Sequence, residues 1–225
     1  MVATSKKLAL LWTLIAIAWL SHFVSIANAS QFSADIVSTN ADGQPAGPPG
    51  KVYVSNDKVR IETPDLAGGF FIVDGATNAA FFVRPSQRVF MDAKQSSPLT
   101  QILVPVDPED PCRKWQAMAG NAGATETGGQ WRCNRIGQAI IEGREAISYS
   151  AVSPREKANT QWIDPVLEFL VRSQTDNGIV IDLKNIQEGP QPASLFEIPA
   201  SYSKFDPRRL IEIIKRSDVW VEPNK

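Results

Sequence analysis

Apolar and polar residues alternate with a period of two through most of this chain, and the alternation is cleanest over residues 161–186. Leu167, Phe169 and Val171 share one face of a run whose other face carries Glu168 and Arg172. Asp176-Asn177-Gly178 then turns the chain, because Asn and Gly tolerate the positive φ that a hairpin turn demands. Ile179, Ile181 and Leu183 alternate with Val180, Asp182 and Lys184 on the way back. Alternation on both sides of such a turn is the strongest short-range hairpin signal a sequence carries. Trp162-Ile163-Asp164-Pro165 reads as a tight punctuation ahead of the hairpin. One face of this hairpin is apolar and has to be covered, by the protein's own helices or by a ligand as well.

The rest of the chain has the same texture. Residues 31–39 place Phe32, Ala34 and Ile36 on one face of a first strand. Residues 40–50 are rich in Gly and Pro and form a loop that cannot hold a ladder. Strands are predicted at 51–55 and 58–63 around an Asn56-Asp57 turn, then at 70–74, 79–84 and 87–92, an antiparallel meander. Residues 97–104 change period: Leu99, Ile102 and Leu103 have helical spacing, with Pro98 suited to a first turn. A second helix is expected over 111–119 with Asp110 as its cap. Further strands are expected at 131–136, 138–142 and 146–153, with Gly137 and Gly143 marking turns. Asp206-Pro207 starts a C-terminal helix over 208–217, where Leu210, Ile213 and Ile214 make the apolar stripe.

The pattern is therefore α+β. About ten strands exceed what stays flat, so the sheet must curl, and the central helices are the candidates to cover its concave side. The expected architecture is an unclosed β-barrel of about ten or eleven strands covered by two or three helices.

Composition adds the compartment. Of 225 residues, 43% are hydrophobic, enough for one sizeable domain, here residues 30–225. Residues 1–29 read as a secretory signal peptide: Lys6 and Lys7, an apolar stretch over 8–20, then Ala27-Asn28-Ala29 as an A-x-A cleavage site. An uncleaved anchor is the rival reading, opposed by Ser21, His22, Ser25 and Asn28, which dilute the apolar tail. No cysteine follows the cleavage site to carry a lipid, and no permanent membrane anchor is expected. Removing Lys6 and Lys7 from 23 basic residues leaves 21 against 24 acidic ones, a net charge of −3. That balance excludes a strongly basic nucleic-acid binder. The single histidine, His22, leaves with the signal, so a mature chain has no imidazole for a catalytic triad or a metal site. No G-x-S-x-G or S-x-x-K context for a nucleophile appears, and no enzyme activity and no cofactor are expected. Cys112 and Cys133, 21 residues apart in an exported chain, read as a structural disulfide rather than a redox pair.

Several short motifs occur together and in order: Gly50-Lys-Val-Tyr-Val, Phe71-Ile-Val-Asp-Gly75 followed by Ala80-Phe-Phe82, Trp162-Ile-Asp-Pro165, Gly178 with Leu183-Lys-Asn-Ile186, and Leu195-Phe-Glu-Ile-Pro199. In that order they resemble the LolA-like superfamily, which includes periplasmic lipoprotein carriers and related sensor domains. The resemblance spans most of residues 32–204. It implies an unclosed β-barrel of about eleven strands with a hydrophobic cavity for acyl chains. Carriers of this kind have Arg-Pro, the Arg latching the lid, where this chain has Ser55-Asn56.

The candidate cavity lining is Phe70, Ile72, Phe81, Val83 and Phe90, with Trp162, Phe169 and Val171. The alternative is that these residues form an ordinary core that the helices fill. Leu170, on the opposite face from Phe169, signals a covered outer face. Asp74-Gly75 reads as turn chemistry and Asp107-Pro-Glu-Asp110 as a solvated loop rather than a Ca²⁺ site. Arg208-Arg209 with Lys215-Arg216 read as a solvated helix face before a dock for an acidic partner. The function expected is that of a periplasmic, monomeric binding protein holding a hydrophobic or acyl ligand, in lipid or lipoprotein trafficking. The alternative is an envelope sensor or interaction domain with a self-filled cavity and a protein partner. Export is tested directly: N-terminal sequencing of the protein recovered from the periplasm is expected to begin at Ser30, and retention of residues 1–29 would make the segment an anchor.

Overall fold

In the computed structural model, the described residues are 30–64, 68–93, 98–121, 130–153 and 158–206. The expected signal peptide and the expected helix over 208–217 lie outside them.

The N-terminal strand β1 (Gln31–Thr39) alternates buried Phe32, Ala34 and Ile36 with half-buried polar residues. A five-strand meander follows: β2 (Gly50–Ser55), β3 (Lys58–Glu62), β4 (Phe70–Asp74), β5 (Ala79–Arg84) and β6 (Val89–Asp92). Two helices interrupt the strands, α1 (Leu99–Ile102) and α2 (Pro111–Asn121). A second meander comprises β7 (Arg132–Ile141), β8 (Arg144–Val152), β9 (Ala158–Asp164), β10 (Phe169–Gln174) and β11 (Val180–Glu188). The tail adds β12 (Ser203–Lys204).

All these strands form one sheet of order β12-β6-β5-β4-β3-β2-β1-β11-β10-β9-β8-β7. Every pairing is antiparallel except β12 on β6. β1 is the seam, with Phe32 opposite Val54 on β2 and Ile36 opposite Leu183 on β11. β7 and β12 stand at opposite ends of the order, so the barrel is not closed. Twelve strands laid flat would span roughly 50 Å. One buried cluster nonetheless includes Val73 and Ala80 from β4 and β5, Ile147 and Ala151 from β8, and Trp115 from α2. A sheet reaches a shared core from both halves only by curling. Bulges between Ser33 and Asp35, between Leu170 and Arg172 and between Arg135 and Gly137 supply local bends.

The helices are fixed to both halves. Asp110 caps α2 through the Arg113 N–H at 3.3 Å, as its position in the sequence predicts. Lys114 donates to the Gly75 carbonyl in the β4–β5 turn. The Trp115 indole donates to the Ile102 carbonyl of α1 at 3.2 Å. Between the helices, the Val106 N–H donates to the Glu168 carbonyl at 2.8 Å, and the Tyr149 hydroxyl to the Pro108 carbonyl at 2.6 Å. The expected bridge joins Cys112 on α2 to Cys133 on β7.

Three local readings change. Trp162-Ile163-Asp164 is not punctuation but the end of β9, a strand the alternation did not reveal. Only Pro165 begins the turn, where the Asp164 carboxylate accepts the Val166 and Leu167 N–H groups at 2.8 and 3.0 Å. Gly137 does not end a strand either: β7 runs through it with a bulge, its missing Cβ facing Ser148 Oγ at 3.4 Å. Leu170 belongs to the same buried cluster as Phe169, because the bulge at Leu170/Arg172 breaks the strict alternation.

The bridge closes a 21-residue loop and holds the long helix on the free edge strand. Replacing both cysteines by alanine is expected to lower stability by about 3 kcal/mol. Urea unfolding measures this; an unchanged midpoint would mean that packing alone anchors α2.

Candidate functional site

A pocket of about 580 Å³ lies between the concave face and the helices. Its floor is a row of residues in register across the strands. Gln161 of β9 pairs with Ser173 of β10, Ser173 with Ile181 of β11, and Ile181 with Ser38 of β1. Asn159 of β9 and Thr175, just past the end of β10, extend the polar band. Pro98, Leu99, Gln101 and Ile102 wall it from the α1 side, and Ala119 and Trp131 from the α2 side. The remaining wall comes from Ala46, Gly47 and Pro48, in a loop folded back along β1 by the Ala46 N–H to Ser38 carbonyl bond at 2.8 Å. The volume falls in the range of small-molecule sites.

The electrostatics are uniform: the described residues that line the pocket carry no charged side chain. Two buried polar atoms in its lining have no hydrogen-bond partner, Gln161 Oε1 and Trp131 Nε1. Gln161 is 1% exposed and Ser173 4%. An unsatisfied buried acceptor costs about 1–3 kcal/mol, so an empty pocket leaves that amide oxygen short of a donor. Next in the floor row stands Tyr149, opposite Gln161, whose pKa is raised by burial and by nearby Glu109.

The residues expected to line a cavity lie elsewhere. Phe70, Ile72 and Val83 form a separate cluster with Phe90, Ile198 and Tyr202. Phe81, opposite Ile72, meets Phe90 edge-on at 6.0 Å. This cluster covers the outer face of β4–β6, under the segment that leads to β12. β4 is apolar on both sides: Phe71 and Val73 point to the helices and Phe70 and Ile72 away. Trp162 alternates with Gln161 and so faces outward, its ring centre 5.9 Å from the Arg172 guanidinium. Phe169 and Val171 are buried core, Phe169 against Phe32 at 5.3 Å. None of the eight lines the pocket. The signal that marks it is quieter: Asn159 and Gln161, then Ser173 and Thr175, polar at period two on the inward parity of paired strands.

A second hollow, of about 550 Å³, lies on the outer side of β1–β3. Its charges are paired with one another. Asn185 and Lys51 hold the Asp35 carboxyl below its usual pKa, through bonds of 2.7 and 2.6 Å. Arg60 pairs with Glu62 at 2.7 Å and lies 3.3 Å over the Phe70 ring. No group of three or more metal-ligating side chains occurs among the described residues. Asp74 accepts the Thr77 N–H at 3.2 Å, and Asp107 accepts the Glu109 N–H at 3.0 Å and pairs with Arg113, both turn and loop chemistry.

No family model matches the chain, and no curated protein matches it. Among solved structures it is similar to PNGF-II, with a TM-score of 0.51 and 8% identity over 84% of this chain. The chain spans only 34% of PNGF-II. It is also similar to the Pseudomonas aeruginosa MucA/MucB complex, with a TM-score of 0.42 and 14% identity over 84% of this chain and 62% of that one. A LolA superfamily protein from Nitrosomonas europaea has a TM-score of 0.34 and 11% identity over 75% of this chain and 90% of that one. The likeness is of fold alone. The architecture itself is an unclosed curled sheet with helices against one face, the arrangement expected from the strand pattern.

Trp131 and Trp162 report opposite faces. Titration with a solvatochromic hydrophobic dye is expected to quench indole emission, with Trp131→Phe removing most of the quenching and Trp162→Phe little. The reverse pattern would put the binding face outside the sheet.

Proposed function

We propose that the protein is exported to the periplasm and there holds a hydrophobic or acyl ligand in the pocket between its curled sheet and its helices, without catalysing a reaction. The observation that carries this reading is the void itself. About 580 Å³ stays open where α1, α2 and the 45–50 loop meet the concave face. A cavity that the helices filled would favour a pure scaffold. Transport of lipids or lipoproteins is the process such a carrier fits. The described lining offers its serine and threonine hydroxyls no charged side chain to activate them, which supports holding rather than catalysis. No helix among the described residues is long and apolar enough to cross a membrane.

A second reading, an interaction domain, rests on one feature. The edge strand β7 exposes Ile136 (58%) and Ile140 (66%), and an unpaired edge is a template for another chain. Pull-down from the periplasm separates the two: a stoichiometric protein partner without lipid favours the interaction domain.

Native mass spectrometry of protein purified from its own periplasm, with lipid extraction, is expected to find a bound amphiphile in about one copy per chain. Gly47 lines the pocket, and a Cβ added there meets nothing within 4 Å. Gly47→Trp is therefore expected to expel the ligand while leaving the unfolding midpoint within about 0.5 kcal/mol of wild type. Full occupancy in Gly47→Trp would remove the pocket as the binding site.

A further inference from the structure

The pocket is mainly apolar but carries a polar band, which a pure hydrocarbon ligand does not explain. Apolar Ile36, Leu99 and Ile102 face a floor built from Gln161, Ser173 and Thr175. Gln161 is almost fully buried, and its Oε1 has no donor. The indole N–H of Trp131 is likewise buried without an acceptor. Both residues line the same cavity, one lacking a donor and the other an acceptor. No charged side chain stands among the described lining residues.

From this arrangement we propose that the ligand is an uncharged amphiphile with a hydrogen-bond donor on its head, an amide or alcohol, that donates to Gln161 Oε1 while its apolar chain lies against Ile36, Leu99 and Ile102. This rests on the reading of the pocket as a ligand site and adds the class of ligand. An ionised carboxylate is acceptor-only, so it cannot serve Gln161 Oε1, and it would be desolvated with no cation among the described lining residues to offset the cost. An alkane satisfies neither open atom. An amide carries both kinds of complement, an N–H of the sort Gln161 Oε1 lacks and a carbonyl of the sort the Trp131 indole lacks. Ser173 offers a hydroxyl to the remaining lone pairs.

The test uses three probes with the same chain length, dodecanamide, dodecanoate and dodecane, against the delipidated protein at pH 8. Each is titrated by displacement of a fluorescent lipid from wild type and from Gln161→Met, which keeps the length of the side chain and removes the amide. Wild type is expected to bind dodecanamide about tenfold more tightly than dodecanoate or dodecane. Gln161→Met is expected to lose about tenfold for dodecanamide alone, and to unfold no earlier than wild type when empty, since it removes an unsatisfied buried oxygen. Tighter binding of dodecanoate, or an equal loss for all three probes in the variant, overturns the assignment of the head group while leaving a ligand-binding pocket. Should no probe bind wild type and no lipid be extracted from the native protein, the ligand-site reading falls and takes this inference with it. The wild-type ranking stands by itself if the variant does not fold.

Discussion

One strand, β1, is hydrogen-bonded along both edges, to β2 on one side and β11 on the other. Without that double pairing the chain would be two meanders, each with an apolar face and no partner for it. Phe32, Ala34 and Ile36, all pointing to one side of β1, force the two meanders to turn the same face inward. A one-residue slip would send them to solvent. The seam therefore fixes both the continuity of the sheet and its inward face. The Phe32–Phe169 edge-on contact is the visible link between the N-terminal strand and the second meander.

The helices are held on that face by bonds spread around its rim. Lys114 reaches the first meander, the disulfide reaches β7, and Val106 and Pro108 meet the second meander. Trp115, fully buried, fills the middle. α1 is a single short turn and α2 a short helix, and together they cannot cover a concave surface of this width. The space that remains is at the end where the 45–50 loop folds back. Among the described residues, the pocket is thus a consequence of how little helix lies against a sheet of this size.

Buried charge is used for shape rather than chemistry. Asp164, nearly inaccessible, pairs with Arg144 and accepts two backbone N–H groups, which fixes the β9–β10 turn against which Val106 docks. Arg144 also reaches Glu188 at 2.7 Å, tying β8 to the end of β11. On the outer face Arg172 pairs with Asp182 across β10 and β11 and lies above Trp162. These pairs orient turns and strands, and the pocket itself stays uncharged among its described lining residues.

Much of the fold was legible from period-two alternation, because sheets bury one face and the pattern is local. The five strands of the first meander, the positions of the two central helices, the Asp110 cap and the disulfide could all be read from neighbouring residues. The hairpin turn at Asn177-Gly178 was legible for the same reason, with Gly178 at a φ of 83°. β9 was hidden because its inward residues Asn159 and Gln161 are polar, the reverse of what a core-facing strand displays. The inward face of β4 was not legible for a related cause: Phe70-Phe71-Ile72-Val73 is apolar on both faces, and no local rule says which face meets the helices. That choice is made by the tail, which covers Phe70, Ile72 and Val83 from outside, and by α2, which takes Phe71 and Val73 inside. The sequence by itself determined the strands, their turns and the bridge, since each depends on residues close together in the chain. Only the tertiary structure decided which polar side chains are enclosed with nothing to bond to, because enclosure is a property of the curl and of where the helices stop.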